Sequence, residues 1–285
     1  MVPMNLLDEK AHADYTDTGV WAAKAIKEAK RFGTVNVVSS SKADVYNHIP
    51  KDFQQTEGAT YLHVTSNNTI YGTQWKEFPK AATYLVADMS SDILSRKINV
   101  SDFGLIYAGA QKNMSCAGVT LAIIRKDVLG KVERSIPTML DYATHIPEHS
   151  MFNTPPVFPI YVMYRTLAWL KENGGVSAME LLNNKKSGLL YEAIDNSKLF
   201  VGTAAKEDRS TMNVPFIFNK ESVAAEKADE LQKEFLAFTK ERGLEQLKGH
   251  RSVGGFRASI YNAMPMEGVE ALVSAMADFE KKILG

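Results

Sequence analysis

Two rhythms of apolar and polar positions alternate in the first half of the chain. The stretch Trp21-Ala22-Ala23-Lys24-Ala25-Ile26-Lys27-Glu28-Ala29-Lys30 predicts a helix, with Thr18 as its cap and Gly33 as its C-terminal stop. Five short runs then follow: Val35–Val38, Thr60–Val64, Thr83–Ala87, Gly104–Ala108 and Val119–Ile124. They are nearly continuous in β-branched and aromatic residues, as strands covered on both faces are. Strands of this kind between helices predict an α/β domain with a largely parallel sheet. The later runs lie close together, which leaves room for an antiparallel pair or a short crossover. Past Pro155-Pro156 the rhythm changes. A helix is predicted from about Pro156 to Lys171, ended by Asn173-Gly174-Gly175. A long helix near Ala178 to Asp195, an apolar run Val214–Phe218 and a charged helix from Ser222 to Arg242 come next. A strand near Phe256 to Tyr261 and a closing helix from Met266 to Ile283 complete a smaller α+β unit. The predicted organisation is a large domain over 1–173 and a small C-terminal domain over 174–285.

Composition narrows the function classes. The 285 residues are enough for two domains, and 45% hydrophobic with 23% charged residues supplies a buried core rather than a disordered chain. Lys plus Arg is 33 and Asp plus Glu is 33, so no general affinity for nucleic acid or anionic membrane is expected, while a local basic pocket stays possible. One cysteine, Cys116, excludes an intrachain disulfide and a cysteine-based zinc cluster, and reads as a small buried residue of a protein in a reducing compartment. His48, His63, His145 and His149 lack metal-ligand spacing, so no metal is expected. The start has no basic region and apolar core of a signal peptide, and the longest apolar stretch, Pro156 to Leu170, is interrupted by Tyr161, Tyr164, Arg165 and Thr166. The expectation is a soluble cytoplasmic protein with no membrane span. The Lys/Glu-rich stretch from Lys220 to Arg242 reads as a solvated helix face with i,i+4 pairs.

Candidate chemistry follows from where the strands end. In open α/β sheets ligands bind beyond the carboxyl ends of the strands. The predicted strand ending at Val64 releases Thr65-Ser66-Asn67-Asn68-Thr69, the one ending at Ala87 releases Asp88-Met89-Ser90-Ser91-Asp92, and the one ending near Ala110 releases Gln111-Lys112-Asn113. If these strands are parallel neighbours, a hydroxyl, a carboxylate and an amine meet at one edge. That trio suits a polar, heteroaromatic or phosphorylated ligand, with an amine able to form a covalent adduct with a carbonyl. Singly, each residue has a plainer reading. Lys112 is a solvated turn lysine, Asp88 a helix cap, Thr69 a turn residue and Trp21 a core aromatic. His250-Arg251 is a surface pair, and Arg257 covers a strand edge. Gly174-Gly175 lacks the context of a phosphate loop and reads as a hinge or cap.

The order and wording of several segments resemble the phosphoserine aminotransferases. They are Asp14-Tyr15 with Thr18-Gly19-Val20-Trp21, Val86-Ala87-Asp88-Met89-Ser90-Ser91, Tyr107-Ala108-Gly109-Ala110-Gln111-Lys112-Asn113, Asn153-Thr154-Pro155-Pro156 and Gly254-Gly255-Phe256-Arg257-Ala258-Ser259-Ile260-Tyr261-Asn262. The resemblance runs from Met1 to the C-terminus and implies a fold-type I, class V transferase that depends on pyridoxal 5'-phosphate. It implies that Lys112 holds the cofactor covalently and moves the substrate proton, and that Asp88 pairs with the ring nitrogen. Trp21 would stack on the ring, Thr69 would bond its phenolic oxygen, and Gln111 would help hold its phosphate. Asn153 and Thr154 would reach the phosphate in a neighbouring subunit, so a homodimer with a shared site is implied. Arg257 would clamp the substrate carboxylate, and His250 and Arg251 would take the substrate phosphate or the distal carboxylate of glutamate. The implied reaction exchanges the amino group between O-phospho-L-serine/3-phosphohydroxypyruvate and glutamate/2-oxoglutarate, in serine biosynthesis and in vitamin B6 biosynthesis where that second substrate is used. Its rivals are another class V aminotransferase, a desulfurase, and a non-catalytic dimerising homologue. The resemblance also places family sequence ahead of Met1, with a glycine-rich turn whose helix cradles the cofactor phosphate. A truncated reading of the gene, a shortened homologue and a non-catalytic remnant each fit that departure; retention of Lys112, Asp88, Trp21, Thr69 and Arg257 favours the first.

Overall fold

A computed structural model describes the chain from Met1 to Gly285. Its elements run α1 (Val2–Leu6), β1 (His12–Asp17), α2 (Val20–Ala29), β2 (Thr34–Ser40), β3 (Leu62–Thr65), β4 (Asn67–Asn68), β5 (Thr73–Gln74), β6 (Leu85–Asp88), β7 (Leu105–Gly109) and β8 (Thr120–Ile124). There follow α3 (Tyr142–His145), α4 (Val157–Glu172), α5 (Gly175–Asn196), β9 (Phe200–Gly202), β10 (Asn213–Phe218), α6 (Ala225–Lys240), β11 (Phe256–Ser259) and α7 (Met266–Leu284). The main sheet has the order β2-β1-β3-β6-β7-β8, parallel throughout except where β8 returns antiparallel beside β7. The three predicted ligand-releasing strands are thus the adjacent parallel trio β3, β6 and β7.

Alternation along these strands buries both faces. On one side Tyr15, Tyr61, Val86 and Leu105 pack with Leu6 and Leu7 at the end of α1 and with Ile26 and Ala29 of α2. On the other, Leu62, Val64, Leu85, Ala87, Ile106 and Ala108 pack with Ile49, Trp75, Met89, Phe103 and Met114. Burying each such side chain stabilises the fold by roughly 1.5–3 kcal/mol. The C-terminal part has its own core on the antiparallel sheet β11-β10-β9, where Phe200, Phe216, Phe235, Phe256 and Phe279 meet edge to face or tilted.

Several expectations are corrected. Strand β1 is absent from the pattern reading because His12-Ala13-Asp14-Tyr15-Thr16-Asp17 is rich in polar residues. It lies inside the sheet all the same, since Asp14 is satisfied by Asn36 Nδ2 at 3.3 Å and the Thr56 amide at 2.7 Å, partners remote in sequence. The three-residue β9 is too short to show a period. Thr18 does not cap α2: Gly19 occupies the cap position, and the Thr18 hydroxyl donates to Asn68 Oδ1 at 3.3 Å. Gly33 is not a left-handed stop; a Cβ there would stand 2.5 Å from the Asp8 carbonyl oxygen, so glycine permits a close chain crossing. Cys116 is exposed rather than buried, because it lies on the turn after Lys112, outside both sheet faces. Helix α6 forms no ion pair along its own face; Glu234 instead meets Lys282 of α7 at 2.7 Å. No helix is long and apolar enough to cross a membrane.

Between the two cores runs a seam of buried amides. Asn113, next to Lys112, accepts from the Asn262 amide at 3.1 Å and donates to the Ile93 carbonyl at 2.9 Å. Asn183 of α5 donates to Asn262 Oδ1 at 2.9 Å and to the Ser95 carbonyl at 3.0 Å. Asn67 donates to Asn213 Oδ1 at 2.9 Å, joining β4 to β10. Each bond satisfies a group that would be costly to bury alone.

Candidate active site

The sheet edge carries the candidate residues in two groups. Asp88 ends β6, directly beside Tyr107 of β7 and Thr65 of β3. Its Oδ1 accepts from the Ser90 amide at 2.9 Å and the Ser90 hydroxyl at 2.6 Å, and the Gly109 amide donates to that same hydroxyl at 3.1 Å. Asp88 therefore does cap the turn that follows it, with one oxygen, and the cap fixes the carboxylate in place. Burial pushes its pKa up, while the bonds from Ser90 and the nearby Tyr107 hydroxyl pull it back. Lys112 stands on the exposed turn after β7, its ammonium 5.3 Å from the centre of the Tyr261 ring. Beside it Gln111 folds back over Gly109, where a Cβ would stand 2.6 Å from the Gln111 amide oxygen.

The second group is built around Thr69. Trp21, in the first turn of α2, remains 47% exposed, so it is no core aromatic; its indole nitrogen donates to Thr69 Oγ1 at 3.1 Å. Arg257, on β11, reaches across from the C-terminal sheet and donates from Nη1 to the Thr69 carbonyl at 3.3 Å. Its Nε is buried without a partner, a donor directed at nothing the chain supplies. One threonine thus receives the indole of α2 and the guanidinium of β11.

Other predicted residues are not gathered. Asn153 and Thr154 lie exposed on the segment before α4 and make no hydrogen bond within the chain. Arg251 is exposed, and His250 engages only its own turn, with Nδ1 2.7 Å from Ser252 Oγ. Sequence reading missed Ser90 and Tyr107, which flank Asp88, and Tyr261, which lies under Lys112. All three stand within or next to the quoted motifs, which was the available signal. It also missed His63, whose burial only the sheet reveals.

What remains is an arrangement with few chemical uses: an amine without a hydrogen-bond partner, a fixed half-buried carboxylate, an exposed indole plate, a hydroxyl and an unpaired guanidinium nitrogen. Such a donor set fits a planar heteroaromatic aldehyde with a basic ring nitrogen, and beside it a carboxylate substrate.

Comparison with known proteins agrees. The family model described as Aminotransferase class-V matches residues 1–272, and the chain belongs to that family of pyridoxal-phosphate enzymes. Within it the chain stands among the phosphoserine aminotransferases. It is 56% identical over 282 residues to the phosphoserine aminotransferase of Parabacteroides distasonis, covering 99% of this chain and 77% of that protein. The solved phosphoserine aminotransferase of Bacillus circulans subsp. alkalophilus is 46% identical and superposes with a TM-score of 0.93 over 99% of this chain and 77% of its own. The pyridoxal-phosphate-bound phosphoserine aminotransferase of Trichomonas vaginalis, 40% identical, gives 0.89 over 97% and 78%. The fold is that of the fold-type I transferases, and pyridoxal 5'-phosphate is the cofactor of the family.

Proposed function

We propose that this chain is the transaminating subunit that exchanges an amino group between O-phospho-L-serine/3-phosphohydroxypyruvate and glutamate/2-oxoglutarate. The observation that carries this reading is the placement of Lys112 and Asp88 at neighbouring strand ends, with Arg257 brought to Thr69 from the other sheet. When bound, the cofactor supplies an electron sink for the carbanion formed at the substrate α-carbon. The chain's residues do the rest. Lys112 holds the cofactor and carries the proton to and from the α-carbon, which requires an amine free of competing bonds. Asp88, fixed by Ser90, keeps the ring nitrogen protonated. Trp21 stacks on the ring and stays anchored by Thr69, whose own hydroxyl hydrogen is left for the phenolic oxygen. Gln111 contributes to the phosphate site. Arg257 offers its guanidinium edge to the α-carboxylate common to phosphoserine and glutamate.

The remaining roles concern a second copy. Asn153 and Thr154, exposed and unpaired on their own chain, belong to the cofactor phosphate site of a partner subunit. His250 and Arg251 supply the cationic pocket for the substrate phosphate or the distal carboxylate. Helix α4 supports a homodimer: Val157, Phe158, Tyr161 and Tyr164 stand exposed along it, Phe158 at 68%. The boundary near 173–174 supports two domains, 1–173 for the cofactor and 174–285 for the small domain, each with its own core. Location in the cytoplasm and use in vitamin B6 biosynthesis belong to the same proposal.

The test is covalent. Borohydride reduction of the cofactor-loaded chain should fix cofactor on Lys112, and Lys112→Ala should remove all of it. Label trapped on another lysine defeats the assignment. Glutamate formation from 2-oxoglutarate with phosphoserine, compared with alanine and cysteine as donors, then identifies the substrate; preference for alanine or cysteine overturns the reading.

A further inference from the structure

His63, buried, and Tyr107, half-buried, are polar residues that the roles above leave unused. His63, at the centre of the sheet on β3, is 1% exposed, stacks on Tyr15 at 4.6 Å and holds its Nε2 3.0 Å from the Tyr107 hydroxyl oxygen. Its Nδ1 is buried with no partner. Tyr107 is the register partner of Asp88 across β6 and β7, and its nearby hydroxyl helps hold the Asp88 pKa down against burial. A phenol has one proton to give and two neighbours that could take it. A carboxylate is a stronger acceptor than a neutral imidazole, so the proton belongs to Asp88. The oxygen of Tyr107 must then accept from His63, which places the imidazole proton on Nε2 and leaves Nδ1 as the bare lone pair.

We propose that His63 and Tyr107 form a positioning relay behind Asp88, in which His63 Nε2–H donates to the Tyr107 oxygen and the Tyr107 hydroxyl donates to the Asp88 carboxylate. The relay offsets the burial of Asp88 and keeps it ionised and aimed, so that it can hold a cationic ring nitrogen; this last step rests on the role given to Asp88 above. The surroundings favour the direction of donation. Burial lowers the His63 pKa to about 3, so the imidazole stays neutral and carries a single proton. Burial together with the nearby Asp88 carboxylate raises that of Tyr107, so the phenol keeps its hydrogen. Besides Tyr15, stacked on His63, the ionisable groups facing the relay are Tyr61 and Tyr142, which approach Tyr107, Asp92, which faces Asp88, and Glu28 of α2, which lines a cavity with His63 and Tyr107. Burial holds both phenols neutral, and Asp92 is engaged by Ser66 and by Gln74 at 3.0 Å.

The relay can be read without cofactor and without turnover. Nitrogen-15 NMR of the histidine-labelled, cofactor-free full chain should show His63 as the Nε2–H tautomer; an Nδ1–H tautomer overturns the proposal, and this needs no variant. Carbon-13 NMR of the Asp88 carboxyl should show its titration midpoint rising by about one pH unit in Tyr107→Phe, a tenfold change in proton affinity. His63→Leu should raise it in the same direction. His63→Gln should restore the midpoint, because its side-chain amide donates from nearly the Nε2 position. An unchanged midpoint in Tyr107→Phe, or Leu and Gln variants that move it equally, would leave the pair a packing feature only. Because the readout is taken without cofactor, it is independent of whether cofactor is later trapped on Lys112.

Discussion

At the scale of single residues, what separates Arg257 from an ordinary edge arginine is an unfinished set of hydrogen bonds. Nη1 is anchored on the Thr69 carbonyl and Nε is buried unpaired, so the substrate carboxylate proposed for this place would complete the guanidinium rather than compete for it. A lysine at this place keeps the charge but loses the planar pair of donors. Arg257→Lys should therefore raise KM for phosphoserine and for glutamate together, by roughly ten- to a hundredfold given the usual ~1.5–3 kcal/mol of a charged hydrogen bond. Steady-state kinetics with each donor checks this, and loss toward one donor alone would contradict the clamp. The same scale shows how far residues could be read from the chain. Lys112 and Asp88 were found from strand ends, because a turn after a buried strand is a local feature. The cap that Asp88 makes on its own turn was legible too, but the tie of Ser90 to Gly109 and the exposure of Trp21 were not, since each depends on another segment.

At the scale of elements, Lys186 shows a residue whose position in the helix pattern misleads. In Asn183-Asn184-Lys185-Lys186-Ser187 it looks like one more solvated lysine. On α5 it is fully buried, and its ammonium donates to the carbonyls of Ile260 at 3.1 Å, Tyr261 at 2.8 Å and Met264 at 3.1 Å. It thereby fixes the turn between β11 and α7, the same turn that holds Tyr261 under Lys112 and Asn262 against Asn113. Lys186→Met fills much of the space but leaves three carbonyls unpaired. Urea denaturation should show a loss of about 2–4 kcal/mol, more than a surface lysine would cost. A loss within about 0.5 kcal/mol would mean that other donors reach those carbonyls. The long helices α4, α5, α6 and α7 were legible to within a few residues. Strand β1 was not, because what makes it a strand is its two neighbours, β2 and β3, rather than its own side chains.

At the scale of the whole molecule, the amide seam and helix α4 have opposite characters. The seam is nearly satisfied: Asn67, Asn113, Asn183, Asn213 and Asn262 link the two cores and hold Arg257 and Lys112 in one frame, with only the Asn183 Oδ1 left without a partner. Helix α4 is unsatisfied, with Val157, Phe158, Tyr161 and Tyr164 facing outward, and the Ser115 hydroxyl ties its first turn through the Pro159 carbonyl to the turn after Lys112 at 2.6 Å. A partner seated on α4 would therefore lie close to the turn that carries Lys112. The double change Phe158→Asp with Tyr164→Asp should convert a dimer to a monomer in sedimentation, and cofactor retention should fall with it, since Asn153 and Thr154 would no longer reach a partner's site. A variant that stays dimeric would place the interface elsewhere.

By itself the sequence determined the alternation of helices and buried strands and the family, and it supplied the candidate reactive side chains and the proposed two-part organisation, because periodicity and motif spacing are properties of neighbouring residues. The tertiary structure alone decided that β3, β6 and β7 are adjacent and parallel, that Arg257 meets Trp21 at Thr69, and that His63 lies buried against Tyr107. These depend on burial and on hydrogen bonds between segments up to 188 residues apart, and no local pattern encodes which partner completes a polar group once water has been excluded.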